Sequence, residues 1–213
     1  MAEPTESLRM SWSSAGSQRQ NHTTDADKGL RLMRPVVEEL EAAFSHWGVE
    51  ITRATTAEVS ANVCDENAQF ALTDLGLPER LGDGIFFHDL SSGCLTVGEL
   101  LRQPGENGTS EAAGLIYLAS APHDDTVVLS GVTGEVFSWR NGELRRVSSS
   151  LEHLVGFLYT IQVQRNEIER LRIDSDEEFA GIAERLLSAL KDTDPVAMDN
   201  AEAYWAEVLT YTL

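Results

Sequence analysis

Apolar and polar residues alternate with two different periods along this chain. Near the beginning and end, apolar residues recur every three or four positions, which is typical of helices with one buried face. Helices are predicted over residues 35–47, 66–75, 151–163, 179–190 and 200–210. Pro35 suits the first turn of a helix, Gly76 and Pro78 form a stop signal, and Ser150 suits an N-terminal cap.

The middle of the chain is rich in predicted strands. Short apolar runs between turn-forming residues predict strands over residues 49–51, 85–87, 115–119, 126–129, 135–139 and 144–147. Asn141-Gly142 is a strong hairpin signal. Gly131 and Gly134 are predicted to lie in a turn between two strands. A phosphate-binding glycine loop is not expected here, because such loops open a helix. The pattern predicts an α+β fold, in which helices flank a mostly antiparallel meander with one covered face.

The first part of the chain has no such period. Residues 1–28 are polar, so they are predicted to form a flexible tail before a single α+β domain over residues 29–213. A short helix or turn is predicted at 96–101, and a loop at 103–111. The start lacks the pattern of a signal peptide, and no apolar run reaches the length of a membrane span. We therefore expect a cytoplasmic protein that does not enter a membrane.

The charge balance is strongly acidic. Lys and Arg total 16 and Asp and Glu total 35, which gives a formal net charge of -19. Such a field repels phosphate backbones, so direct binding of nucleic acid is disfavoured. It also attracts basic partners and speeds their encounter. The alternative is that the acidity only keeps the protein soluble, and the sequence leaves both readings open.

Cys64 and Cys94 are the two cysteines of the chain. A small secreted domain usually carries more, at patterned spacing, so this number favours a reducing compartment. We expect both residues to be buried free thiols, although the sequence does not exclude a bridge between them.

Two His–Asp sequences are candidate sites. His123-Asp124-Asp125 is the densest polar cluster near a strand end, and it fits a partner contact, a solvated loop or, less well, a metal site that lacks a third ligand group. His88-Asp89 invites an acid–base interpretation, but no partner group is visible. Hydrogen bonding at a strand end is the favoured role for this second pair.

Three further clusters have both a functional and a structural interpretation. The serines of 148–150 lack a nucleophile elbow, and helix capping explains them. Trp139-Arg140 could anchor an interface, since both residue types are enriched in binding hot spots, or Trp139 could pack on its own sheet. Asp176 and Glu177 belong to the acidic run 174–178, which could contact a partner and also suits the start of a helix.

The order of several local motifs resembles one family of proteins. The motifs are residues 74–78 before Phe86-Phe87, then 116–120, 134–137 and 147–152, and finally Asp194-Pro195 with Tyr204-Trp205. In this order they resemble the SUKH superfamily, and they are most similar to its fourth family, from about residue 40 onward. The chain departs from many relatives at 120–125, where those proteins carry a glycine-rich turn with an Asp.

This resemblance implies an immunity protein of a bacterial polymorphic toxin system, which protects the cell by binding a toxin domain. Such toxins are often nucleases or nucleic-acid deaminases, which tend to be basic, so an acidic antitoxin is physically sensible. The partner contacts expected on this reading are His123, Asp124, Asp125, Trp139, Arg140, Asp176 and Glu177. No enzyme activity, metal or cofactor is expected. The alternative function is a SUKH-type interaction or regulatory module unconnected with toxins.

Overall fold

The computed structural model describes residues 35–100, 114–173 and 175–213. These residues form helices around antiparallel sheets, which confirms the predicted α+β class. The flexible tail predicted for 1–28 and the loop predicted at 103–111 lie outside the described residues. The division at residue 28 therefore stays a prediction.

The central sheet is a meander of six strands, each antiparallel to its neighbour in sequence. A separate pair of short antiparallel strands lies before it in the sequence. The eight strands are β1 Ile51–Thr52, β2 Leu77–Pro78, β3 Arg80–Leu81, β4 Ile85–Phe87, β5 Ile116–Ala121, β6 Asp125–Leu129, β7 Val136–Arg140 and β8 Glu143–Ser148. The turn between β7 and β8 is Asn141-Gly142, as predicted, and both of its residues have positive φ.

The described residues contain seven α-helices. They are α1 Val37–Ser45, α2 Thr56–Asn62, α3 Glu66–Phe70, α4 Val97–Leu100, α5 Leu151–Leu171, α6 Asp176–Thr193 and α7 Pro195–Thr212. Helix α3 continues as a π-helical turn, Ala71–Leu75, which ends at Gly76. Ser150 caps α5 as predicted, because its side chain accepts a hydrogen bond from the backbone N–H of His153.

The main core lies between one face of the sheet and the helices. Helix α7 packs on β8 and α6, while α5 contacts α1, α3 and β8. Trp205 of α7 is fully buried and packs edge-on against Phe157 of α5. Its indole N–H donates a 2.9 Å hydrogen bond to the backbone carbonyl of Val147. Helix α7 is therefore held to the last strand by both packing and a polar contact.

The opposite face of the sheet carries a second, smaller apolar cluster. Val97 of α4 and Val128 of β6 are its buried members, and Leu115, Phe137 and Trp139 pack against them. The sequence predicted that one face of the sheet is covered. In the structure α4 also covers part of the other face. Trp139 belongs to this cluster, which is the arrangement expected if it packs on its own sheet.

Both cysteines are free thiols, but the prediction that they are buried is wrong. Cys64 is exposed and Cys94 is partly exposed. Cys64 follows the end of α2, where its backbone N–H donates to the carbonyl of Gly131 at 2.6 Å. The backbone at this position is fixed by the turn of Gly131, and the side chain is left at the surface.

Candidate partner-binding site

A polar cleft opens between α7 and one end of strands β6, β7 and β8. It encloses about 610 Å³, and we call it the α7 cleft. The pairing of Arg140 with Glu143 and of Ser138 with Arg145 places these side chains on the sheet face that α7 partly covers. The polar side chains that line the cleft are Asp125, Ser138, Arg140, Asn141, Glu143, Arg145, Arg146, Asn200 and Glu207.

Asp125 is the most deeply buried acid of this cleft, with only 6% of the residue exposed. Its Oδ1 atom has no hydrogen-bond partner. The nearest cation is Arg140, whose Nε lies 3.8 Å from Oδ1, too far for a hydrogen bond. Burial raises the pKa of Asp125 above its ordinary value, although Arg140 and the hydroxyl of Ser138 oppose the shift. The solvated-loop alternative thus fits His123 and Asp124, which are exposed, and not Asp125.

The turn before Asp125 is fixed against α7. His123 and Asp124 have φ values of 61° and 63°, a conformation that His and Asp adopt more readily than most residues. The Nε2 atom of His123 lies 2.6 Å from Oε1 of Glu207, and 3.3 Å from the hydroxyl of Tyr211. The β5–β6 turn and the C-terminal half of α7 therefore form one continuous surface.

Two aromatic side chains flank this turn. Phe86 is 48% exposed and Tyr211 is 45% exposed. Together with Asp83 and His123 they line a shallow depression of about 340 Å³. We call Asp83, Phe86, His123, Asp124 and Tyr211 the turn surface. It combines exposed aromatic area with carboxylates, a composition that suits a docking site for a basic partner.

The structure brings together some of the residues predicted from sequence and separates others. His123, Asp124, Asp125 and Arg140 lie at or beside the α7 cleft. Trp139 points to the opposite face of the sheet.

Asp176 and Glu177 begin α6, where both are exposed. Asp176 lines a groove with Phe179 and with Leu209 of α7. It therefore lies near the C-terminal end of α7, the end that also carries Tyr211. Asp174 lies outside the described residues.

The other sequence candidates have structural roles. Asp89 accepts hydrogen bonds from the backbone N–H and the hydroxyl of Ser91, and the pKa of Asp89 is lowered by these two bonds. Nε2 of His88 lies 3.0 Å from the carbonyl of Gly93. Hydrogen bonding at the end of β4 is therefore confirmed for this pair. Gly131 and Gly134 lie in the turn between β6 and β7, as predicted.

Ser149, His153 and Asp194 lie together, but they do not form a catalytic triad. The same nitrogen of His153, Nδ1, faces both the hydroxyl of Ser149 at 3.0 Å and Oδ2 of Asp194 at 3.5 Å. A triad needs opposite nitrogens of the ring for these two contacts. The arrangement instead joins the start of α5 to the start of α7.

Asp194 is the centre of this junction, and sequence reasoning did not single it out as a polar core residue. Its carboxylate is almost fully buried and accepts hydrogen bonds from the backbone N–H groups of Ser149 at 2.6 Å and Ala197 at 3.2 Å. Burial opposes ionisation, but the hydrogen bonds from His153, Ser149 and Ala197 outweigh it. They lower the pKa of Asp194 well below its ordinary value.

Replacing Asp194 by asparagine is expected to lower the free energy of unfolding by about 2–4 kcal/mol at neutral pH, because the buried charge-assisted hydrogen bonds are lost and an amide NH2 in place of Oδ2 cannot accept the backbone N–H of Ser149. The amide oxygen can still cap α7, since asparagine caps helices about as well as aspartate. A carboxylate with a lowered folded-state pKa stabilises the fold fully above its unfolded pKa of about 4, and this contribution is lost as pH falls further. The difference between Asp194→Asn and the parent should therefore shrink in acid.

Urea denaturation at several pH values measures this difference. Asp192→Asn is the matched control, since Asp192 is an exposed acid near the end of α6. A deficit in Asp194→Asn that stays constant from neutral pH to pH values well below 4 would contradict an ionised carboxylate as its source.

Among the described residues, no group of three or more His, Cys, Asp or Glu side chains is arranged to hold a metal ion. No helix in the described part of the chain combines the length and the apolar character needed to cross a membrane.

The α+β fold, with its charged cleft and aromatic turn surface, defines a protein suited to binding a partner. A family model described as SUKH-4 immunity protein matches residues 36–211. The chain belongs to this family, which confirms the resemblance to the fourth SUKH family. No curated protein and no solved structure matches the chain.

Proposed function

We propose that this chain is an immunity protein that binds a toxin of a bacterial polymorphic toxin system and covers its active cleft. The observation that carries the proposal is the match to the SUKH-4 immunity protein family over residues 36–211. The toxin belongs to the nuclease or nucleic-acid deaminase class in this proposal. The two free thiols suit the reducing cytoplasm of the producing cell.

The charge of the chain supports a basic partner. With a net charge of -19, the protein repels nucleic acid and attracts surfaces that carry Lys and Arg. Nucleases and deaminases use such side chains to hold phosphates, so an acidic protein competes for the same groups. Complementary charge also raises the rate of encounter, and speed matters when a toxin must be captured before it acts.

The turn surface is the part of the molecule that we assign to first contact. Phe86 and Tyr211 supply exposed aromatic area, which is enriched at the centres of interfaces, and Asp83 and Asp124 supply negative charge. His123 holds the turn to α7 through Glu207. Asp125 and Arg140 in the cleft, and Trp139, Asp176 and Glu177 beyond it, remain predicted partner contacts.

Co-expression with the C-terminal domain of the toxin encoded beside this gene tests the function. Cells that make the toxin domain should survive only when the chain is present, and the two proteins should co-purify. The captured amount should fall as salt rises, because screening weakens attraction between charged surfaces. Absence of both rescue and capture at low salt would refute the proposal and favour an interaction module unconnected with toxins.

Alanine substitutions test the assigned surface. Phe86→Ala and Tyr211→Ala are each expected to weaken toxin binding about ten-fold or more, as measured by titration calorimetry, because truncation of an aromatic anchor typically costs more than 1 kcal/mol. Val132→Ala is the matched control, because Val132 is a more exposed apolar residue in the turn at the other end of β6. Equal affinities for all three variants and the parent would place the toxin on another face.

A further inference from the structure

We propose that the α7 cleft is a socket for one cationic side chain, the guanidinium of an arginine or the ammonium of a lysine, which a binding partner inserts beside Asp125. The identity of that partner rests on the proposed function. The socket itself rests on the geometry of the cleft.

One carboxylate oxygen in the cleft is buried without a hydrogen-bond donor. The Asp125 side chain is only 8% exposed, and its Oδ1 atom accepts no hydrogen bond. Buried polar atoms in native proteins nearly always have a partner, and a buried acceptor without one is costly. An acceptor is satisfied by a donor, so a partner group that enters the cleft fits this atom when it brings an N–H or O–H.

Charged side chains of both signs surround that atom. Carboxylates of Asp125, Glu143 and Glu207 line the cleft against the guanidinium groups of Arg140 and Arg145. Arg146 also lines it, but its charge is already paired with Glu135. The three carboxylates of the lining match its three guanidinium groups in number, and Glu135 beside Arg146 adds a fourth carboxylate, so the cleft and its edge carry one excess negative formal charge. A cation suits this excess and offers Oδ1 a donor, whereas a carboxylate or phosphate offers Oδ1 none.

Arg140 occupies the cleft only in part. Its Nε atom is 3.8 Å from Oδ1, and 46% of its side chain is exposed. Burial raises the pKa of Asp125, and Arg140 opposes this rise from a distance without donating a hydrogen bond to Oδ1. An incoming cation would meet Arg140 as a competitor with the same charge. Removal of Arg140 should consequently strengthen the binding of a cation, and this effect is opposite to that of removing Asp125.

The test uses a small probe and the intact chain. Nα-acetylarginine amide is titrated into the ¹⁵N-labelled protein, with the neutral isostere Nα-acetylcitrulline amide as the comparison. We expect saturable shifts of the Thr126 and Ser138 amides with the arginine probe, and weaker binding of the citrulline probe. Asp125→Asn should weaken arginine binding on the order of ten-fold, because a charge-assisted contact becomes neutral. Arg140→Gln should tighten it several-fold.

Asp199→Asn is the control, since Asp199 is an exposed acid of α7 that does not line the cleft. It should bind the probe as the parent does. The inference is overturned if citrulline and arginine probes bind equally, if the shifts map away from the cleft, or if Asp125→Asn and Arg140→Gln both match the parent. If Asp125→Asn does not fold, two other variants test the socket. Arg140→Gln should bind the arginine probe more tightly than the parent, and Glu207→Gln should bind it more weakly.

Toxin capture separates this inference from the proposed function. If the toxin domain is captured equally by the parent and by Asp125→Asn, and the arginine probe does not shift the cleft amides, the socket is wrong and the immunity function stands. If the probe shifts those amides but no toxin is captured, the socket stands and the immunity function fails. If the parent captures the toxin and responds to the probe, and Asp125→Asn does neither, both the socket and the immunity function are supported.

Discussion

Replacing Trp205 by alanine is expected to lower the free energy of unfolding by about 3–5 kcal/mol, because a large buried aromatic side chain leaves a cavity that the surroundings fill only in part. Trp205 is fully buried and packs edge-on against Phe157 and Tyr204, with ring centroids 5.3 and 5.4 Å away. The substitution also leaves the carbonyl of Val147 without its hydrogen bond. A loss of this size removes much of the stability of a typical domain.

Urea denaturation followed by circular dichroism measures this loss. Trp205→Phe is the matched variant, because it keeps an aromatic ring and removes only the indole N–H and part of the volume. It should lose less stability than Trp205→Ala. A loss below about 1 kcal/mol for Trp205→Ala would mean that α7 does not depend on this residue for its attachment to β8.

Replacing Gly76 by alanine is expected to cost about 3 kcal/mol or more. Gly76 has φ 79° and ψ 179°, a region that is essentially closed to residues with a Cβ atom. A Cβ atom there would also lie 2.5 Å from the carbonyl oxygen of Thr52 and 2.7 Å from Cγ2 of Ile51. The backbone of β1 would have to move, and its pairing with β2 would be disturbed.

A second glycine with positive φ but open surroundings gives a reference for this loss. Gly48 also has positive φ, 64°, but a Cβ atom there would meet nothing within 4 Å. Gly48→Ala should therefore cost only about 1–2 kcal/mol, which is the strain of the left-handed conformation alone. The comparison is made by thermal and urea denaturation. Equal losses for Gly48→Ala and Gly76→Ala would show that neither the restricted backbone region of Gly76 nor its contact with Thr52 adds to the cost.

Periodic residue patterns predicted the larger elements of the fold. Each strand of the meander from β4 onward was anticipated because apolar runs alternate with clear turns, and α6 and α7 because their buried residues recur at helical spacing. Helix α2 was not predicted because Val59 is its one buried residue. Its capping signal, the hydroxyl of Thr55 with Glu58 three residues later, is nevertheless present in the sequence.

Helix α5 shows why the ends of elements are harder to predict. The expected helix stopped at residue 163, where the sequence turns polar, but α5 continues to Leu171. Asn166 lies in this extension and joins α1 through hydrogen bonds with the indole of Trp47 and the carbonyl of Ala43. Partners more than a hundred residues away stabilise this part of α5.

The candidate site was predicted only in part, because local sequence patterns do not show which distant residues come together. His123, Asp125 and Arg140 stood out as chemistry near strand ends, and local patterns suffice for that. Glu207 and Tyr211 did not, because they belong to the cleft and the turn surface only after α7 has packed on the sheet. The burial of Asp125 likewise depends on tertiary packing.

The order of strands in the meander has a consequence for the folding kinetics of the cleft. Strands β5 to β8 pair with their neighbours in sequence, so their contacts close short loops, and short loops close fast. By contrast, the bonds that hold α7, from Trp205 to Val147 and from Ser149 to Asp194, join residues 58 and 45 positions apart. Helix α7 should dock late, after the hairpins have formed. Substitutions beneath it should therefore mainly accelerate unfolding, while those in the β6–β7 and β7–β8 turns should mainly slow folding.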